Sequence, residues 1–406
     1  MKWEGIVLKK FYAFVLMIAF VFVLAACNGE DGEGQEASGE TSGGGDDVEV
    51  YKIGAIYSKT GPNNPLGEPE WNTTELLVEE INAAGGINGV PLEVILADDE
   101  STQEKAAQEM NRLIHDEEVL AVLGSSGSTE SLAMKGIAME EQVPLVSAAA
   151  SIQVVEPVEE STWVFKTPQN DVHAVENIYM YLEEEGIEKI GILTDSNAYG
   201  ESGRQQLEAM AEEYSIEIVA KEVYNMEDAD MSTQLTKINS SGAEALITWG
   251  TNPGPATIAV NMKDLGMEIP HVSSHGVANQ AFIDLAQDAA EGVVIPTGRL
   301  LFPTEIPEDD PHYEIISNFY EKYTNKYDSE PTNFASYGYD NLMLVIDALE
   351  AGATDREAIR EHLENNITDW VGTTGTFNMS PEDHNGLDTD SLVMAYVKDG
   401  KWQFLK

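Results

Sequence analysis

Cysteine is almost missing from this chain of 406 residues. Cys27 stands alone, so no intrachain disulfide can form. Basic residues are scarce as well, with 22 Lys+Arg against 72 Asp+Glu for a formal charge of −50. A surface of that sign repels phosphate backbones, which excludes nucleic acid as a partner; it favours solubility but says nothing about fold. No apolar run reaches the ~20 residues that a membrane-crossing helix needs, since the stretch from Phe11 to Ala26 has 16. The motifs of common enzymes are missing too. No His-Glu-x-x-His helix occurs, and the seven histidines (His115, His173, His271, His275, His312, His362, His384) are scattered, so nothing supports a catalytic metal. There is no Gly-x-Ser-x-Gly elbow, and no lysine follows the glycine loop at 124–127 as a phosphate loop requires. Gly54-Ala55-Ile56-Tyr57 is not a dinucleotide fingerprint. Paired acids such as Asp98-Asp99 are expected by chance in so acidic a chain, and Asp98 is expected to end a strand or cap a helix. The chain is therefore read as a non-enzyme without cofactor, although a fold never excludes a grafted site.

What is present begins with a leader. Lys2, Lys9 and Lys10 precede the apolar run and Leu24-Ala25-Ala26 closes it, the form of a cleaved export signal over residues 1–26. Leu24-Ala25-Ala26-Cys27 is similar to the bacterial lipoprotein signature. That resemblance implies a mature chain starting at a lipidated Cys27, held at a lipid bilayer on the outer face of the cytoplasmic membrane, each buried methylene contributing about 0.8 kcal/mol. The plainer alternative is a secreted protein with an incidental cysteine. Without the leader, 380 residues remain with 19 Lys+Arg against 71 Asp+Glu, a charge of −52. Residues 27–47 contain no aliphatic residue larger than alanine, so they cannot build a core and read as a tether. Twenty flexible residues reach roughly 25 Å.

The remaining length suits two domains. From Val48 onward, short β-branched runs alternate with amphipathic stretches, the pattern of a parallel sheet covered by helices. The strand Lys52 to Tyr57 leads through a Gly/Pro/Asn loop, Ser58 to Pro69, into a helix with Trp71, Thr74, Leu77, Val78 and Ile81 on one stripe. Strands follow at Leu92 to Ala97, Val119 to Leu123 and Pro144 to Val146, with a helix from Thr102 to His115. A second set repeats the order: strands at Lys189 to Thr194, Ile216 to Ala220, Ala245 to Trp249 and Ile269 to Ser273. The expected fold is thus α/β, two Rossmann-like doubly wound lobes. In open parallel sheets ligands bind beyond the carboxyl ends of the strands. The loops Ser58 to Pro69, Gly124 to Ser128 and Ser147 to Ser151 should therefore face Asp195 to Gly200, Gly250 to Pro253 and Ser274 to Gly276 across one cleft. Gly124 to Gly127, followed by a helix with Ser128 as its expected cap, offers free amides and hydroxyls to a carboxylate. By itself that motif is equally an ordinary helix cap.

Ile81-Asn82-Ala83-Ala84-Gly85-Gly86-Ile87-Asn88-Gly89, then Asp98-Asp99, then Leu123-Gly124-Ser125-Ser126, resembles the type I solute-binding proteins of ABC importers, with the branched-chain amino acid binders as the nearest branch. Thr60-Gly61-Pro62, Tyr199-Gly200, His275 to Asn279 and Tyr339-Asp340 extend the likeness over about Val50 to Lys406. The resemblance implies three crossings between lobes: residues 48–167 and 297–371 in lobe 1, 168–296 and 372–406 in lobe 2. It implies a small-molecule carboxylate or amino acid as ligand and ABC permease membrane subunits as partners. Carried over by position, the carboxylate falls to Ser126, with Ala149 and Ser151 on a second loop. The side-chain pocket falls to Leu66, Tyr199, Phe334 and Asn252. Where amino acid binders place an acid for the ligand's ammonium, this chain has His275, at best a neutral acceptor. Two ligands stay open: an apolar amino acid whose ammonium is held by other groups, or an aromatic or keto carboxylate that has none. His275 can also be a loop residue without contact, and the same module can serve as a sensory ectodomain.

Overall fold

The computed structural model describes residues 50–226 and 228–405, within one compact unit, Val48–Lys406. The leader, Cys27 and the tether lie outside the described residues. Five parallel strands form the first sheet: β1 (Tyr51–Tyr57), β2 (Leu92–Asp98), β3 (Val122–Gly124), β4 (Leu145–Ser147) and β5 (Val164–Lys166), in the order β2-β1-β3-β4-β5. The intervening helices are α1 (Asn64–Ala83), α2 (Gln103–His115) and α3 (Ser128–Glu141). Successive residues of a strand face opposite ways, and both faces are buried here. Ile53, Ala55 and Tyr57 pack on one side with Leu77, while Ile56 packs on the other with Met110 and Leu113.

The chain then builds a second sheet. Its parallel strands are β6 (Lys189–Asp195), β7 (Glu217–Tyr224), β8 (Ala245–Trp249), β9 (His271–Ser273) and β10 (Val294–Thr297). They alternate with α4 (Asp171–Glu185), α5 (Ala198–Met210), α6 (Ser232–Ser240), α7 (Gly254–Asp264) and α8 (Gln280–Ala286). Next, α9 (Tyr313–Tyr327), α10 (Asn333–Glu350), α11 (Arg356–Asn365) and the hairpin β11 (Trp370–Val371) with β12 (Thr376–Phe377) bring the chain back to the first sheet, where α10 lies beside α1. The last strands, β13 (Val393–Lys398) and β14 (Lys401–Phe404), extend the second sheet antiparallel beyond β10. The result is the α/β, two-lobed architecture with three crossings.

Three expectations shift. The loop thought to end at Pro69 ends sooner, because α1 starts at Asn64 with Pro65 in its first turn, where the fixed φ of proline is pre-organised. Pro69 then sits inside the helix and forfeits one bond there. The strand expected from Val119 pairs as a ladder only from Val122, although the Leu120 N–H still donates to the Lys52 carbonyl at 2.9 Å. The third crossing falls later than 371/372. Phe377, Met379 and Leu387 bury against α10 in the first core, and Leu392 is the first residue beyond them in the second.

Candidate functional site

The loops leaving the carboxyl ends of both sheets border one cavity of about 200 Å³ that opens to solvent. Its lower wall comes from the first turn of α1, from Ser126–Glu130 after β3 and from Ala148 and Ala150 after β4. Its upper wall comes from Asn197 and Tyr199 at the start of α5, Met226, Thr251, and His275-Gly276 after β9. Phe334 and Tyr337, on the first turns of α10, close the back.

Of the expected site residues, Leu66, Ser126, Tyr199, His275 and Phe334 all meet at this cavity. Ala149, Ser151 and Asn252 do not border it. The chain after β4 is extended, so alternate residues face opposite ways: Ala148 and Ala150 face the cavity, while Ala149 is buried in the core on the far side of the first sheet. Ser151 is used locally. Its Oγ accepts from the Gln153 N–H at 3.2 Å and its N–H donates to Ser128 Oγ at 3.3 Å. Asn252 turns its amide away, donating from Nδ2 to Asn279 Oδ1 at 3.3 Å.

Ser126 is 3% exposed, and its hydroxyl is already engaged. It accepts from the Ser58 N–H at 3.1 Å and donates to a carboxylate oxygen of Glu70. Glu70 is fully buried behind it, its other oxygen has no partner, and burial raises its carboxyl well above the ordinary range, with Asp99 adding to the rise and Ser126 opposing it. Asp99 in turn accepts from the hydroxyls of Ser58 and Ser125.

Position 127, rather than Ser128, caps α3. Gly127 has no side chain to donate or accept, and a Cβ there would stand 2.0 Å from Glu130 Oε2 and push that carboxyl aside. Glu130, third residue of α3, folds its carboxyl back over the helix end beside the cavity and is 5% exposed. Burial pushes it up to about 7, with Asp99 adding to the rise and its own N–H opposing it. Sequence reasoning passed over Glu130, since an acid in a helix's first turn normally answers the helix dipole and needs no further role.

His275 is 1% exposed. Its Nδ1 lies 3.4 Å from Tyr199 Oη, and Nε2 has no partner. The ring stands edge-on to Tyr199 at 5.7 Å and to Trp249 at 6.2 Å. Burial, reinforced by the charges of Lys166 and His173, pulls it down to about 3, so the imidazole is neutral. Thr251 Oγ1, also on the wall, has no partner. The two halves touch around the rim. The Ala198 N–H donates to Thr129 Oγ1 at 3.4 Å, Gln153 Nε2 to Gln205 Oε1 at 3.1 Å, and the Ile152 N–H to Asp171 Oδ2 at 3.2 Å. Among the described residues no group of three or more His, Cys, Asp or Glu is arranged to hold a metal ion, and no helix is long and apolar enough to cross a membrane.

With this geometry in hand, comparison with known proteins gives a consistent answer. The family model described as periplasmic binding protein matches residues 50–401. A leucine-, isoleucine-, valine-, threonine- and alanine-binding protein of Pseudomonas aeruginosa is 24% identical over 356 residues, covering 87% of this chain and 91% of that one. Among solved structures, an extracellular ligand-binding receptor from Rhodopseudomonas palustris is 30% identical with a TM-score of 0.82, covering 87% of this chain and 99% of that one. The branched-chain amino acid substrate-binding protein of Streptococcus pneumoniae, solved with isoleucine, is 27% identical with a TM-score of 0.78, covering 87% and 98%.

Proposed function

Since the chain belongs to the periplasmic binding protein family in its two-lobed type I form, we propose that it is an extracytoplasmic solute-binding lipoprotein. It takes a small apolar carboxylate, foremost a branched-chain or related amino acid, into the interlobe cavity and delivers it to the permease of an ABC importer. Cys27 carries the lipid that keeps it at the membrane. The observation that carries this reading is the convergence of loops from the carboxyl ends of both sheets on one cavity, where open α/β sheets bind ligands. Leu66, Phe334, Ala148, Ala150 and Met226 give its wall apolar surface for a hydrocarbon side chain, and Ser128 and Thr129, whose amides at the start of α3 come before any helical carbonyl that could accept from them, border it as a donor site for a carboxylate. A name carried by relatives at 24 to 27% identity supports the amino acid class, not a particular member.

The neutral His275 supports a second reading, a carboxylate without an ammonium. Both are tested by a thermal-shift screen of amino acids, keto acids and aromatic acids, because a ligand at 100 times its Kd stabilises the fold by about 2.7 kcal/mol. Reversible binding of one unchanged solute is the expected result. No stabilisation by any member of the screen, or recovery of a chemically altered ligand, would overturn the proposal.

A further inference from the structure

We propose that Glu130 is the counter-charge for a ligand's ammonium in the interlobe cavity, so that the site selects α-amino acids over the matching keto and hydroxy acids. This rests on the solute-binding reading above and names its ligand class. Four observations carry it. The carboxyl of Glu130 borders the cavity while being 95% buried, and it reaches that place only because residue 127 is glycine. None of the ion pairs among the described residues involves it, and the charge that acts on it is another acid, Asp99. A buried carboxylate without a cation costs several kcal/mol, so a cationic group arriving in the cavity has a place to go. The other buried acids near the cavity do not border it: Glu70 lies behind Ser126, and Asp99 is held by Ser58 and Ser125. His275 is neutral and presents no negative charge.

An α-amino acid carries both charges on neighbouring atoms. Its ammonium can lie against Glu130 while its carboxylate reaches the first-turn amides of α3 and the hydroxyl of Ser126. A keto or hydroxy acid would bring only a second negative charge to the same helix end. The acid that the sequence appeared to lack at position 275 is thus supplied from the opposite lobe.

Titration gives the inference a signature. Without ligand Glu130 is pushed up to about 7, so below that pH an ammonium must displace a proton. Affinity for an amino acid should therefore rise close to tenfold per pH unit below about 7 and level off above it. The titratable groups facing Glu130 are Asp99, which burial raises and which adds to the rise of Glu130, and, across the cavity, Tyr199, raised far above its ordinary range, and His275, which stays neutral.

The test is a thermal-shift and calorimetric comparison of the standard amino acids with their 2-keto and 2-hydroxy counterparts, on the protein and on Glu130→Gln. The best amino acid should outbind its keto acid at least tenfold, and Glu130→Gln should lose roughly tenfold to a hundredfold for that amino acid and flatten its pH profile. Glu130→Gln keeps the shape of the side chain, and an unchanged near-ultraviolet circular dichroism spectrum separates lost binding from lost fold. Equal or tighter binding of the keto acid, or an unchanged affinity in Glu130→Gln, overturns this inference and leaves the solute-binding reading standing. Failure of both ligand classes to bind overturns that reading and this inference with it.

Discussion

Ser126 and Glu70 form a unit in which a buried acid backs a hydroxyl at the cavity wall. With Glu70 raised well above the ordinary carboxylate range, its protonated carboxyl can donate a hydrogen bond to Ser126 Oγ instead of accepting one from it, which frees the serine hydrogen for a ligand carboxylate. A hydrogen bond to a charged group contributes about 1.5–3 kcal/mol, so Ser126→Ala should weaken ligand binding roughly 10- to 150-fold by calorimetry; an unchanged Kd would place the carboxylate elsewhere. Glu70 also has a pH signature. An acid whose folded pKa is raised binds more protons folded than unfolded, so its contribution to stability is present below the unfolded value near 4.5 and is lost as pH rises toward the folded one. Glu70→Gln should therefore flatten the fall in Tm across the alkaline side of the ordinary carboxylate range, while leaving the acid side unchanged. The histidines act in the opposite sense. His271 is held at about 4 and His275 at about 3 by burial, so each stays neutral when folded and stability is lost as pH drops below the ordinary ~6.5. By NMR, neither ring should titrate between pH 5 and pH 8.

At the scale of elements, α5 and α3 set the cavity's two lips, and both depend on glycine for close approach. The N-terminus of α5 is fixed by Asn197, which accepts from the Gly200 N–H at 2.9 Å. Its inner face meets β8 at Gly203, where a Cβ would come within 2.2 Å of the Trp249 ring. Trp249 is fully buried and packs against Tyr199 at 5.7 Å, so it cannot yield without moving the cavity wall. Overpacking of this kind costs about 1–3 kcal/mol. Gly203→Ala should lose that much in urea denaturation and also weaken ligand binding, because α5 carries Tyr199. Wild-type stability would mean that α5 slides freely on β8.

At the scale of the whole molecule, the hydrogen bonds that bridge the rim among the described residues are few: Thr129 with Ala198, Gln153 with Gln205, and Ile152 with Asp171. Small, polar interfaces between lobes are the kind that open and close. Trp249 lies one layer behind Tyr199 and His275, so ligand addition should shift tryptophan emission, and Trp249→Phe should abolish most of that change. The charge of −50 repels itself throughout. Salt shortens the screening length from about 10 Å at 0.1 M to about 3 Å at 1 M, so Tm should rise with sodium chloride over that range. A flat response would mean that the acids are already locally compensated.

Much of this protein was legible in its residues. Parallel strands need continuous apolar runs such as Lys189 to Thr194 and helices need stripes such as Trp71 to Ile81, so local pattern alone determined the alternation, the two repeats and the loops that meet. The family resemblance pointed to Leu66, Ser126, Tyr199, His275 and Phe334, which do converge. What the sequence could not decide was direction. Whether Ala148 or Ala149 faces the cavity depends on the phase of an extended segment, and one residue of phase reverses it. That Glu130, one acid among 72, is left buried at the cavity without a cation depends on Gly127, on Asp99 from another strand and on the helix end beneath it. Burial and the absence of a counter-ion are properties of the folded neighbourhood, brought together from distant parts of the chain, and only the tertiary structure assigns them.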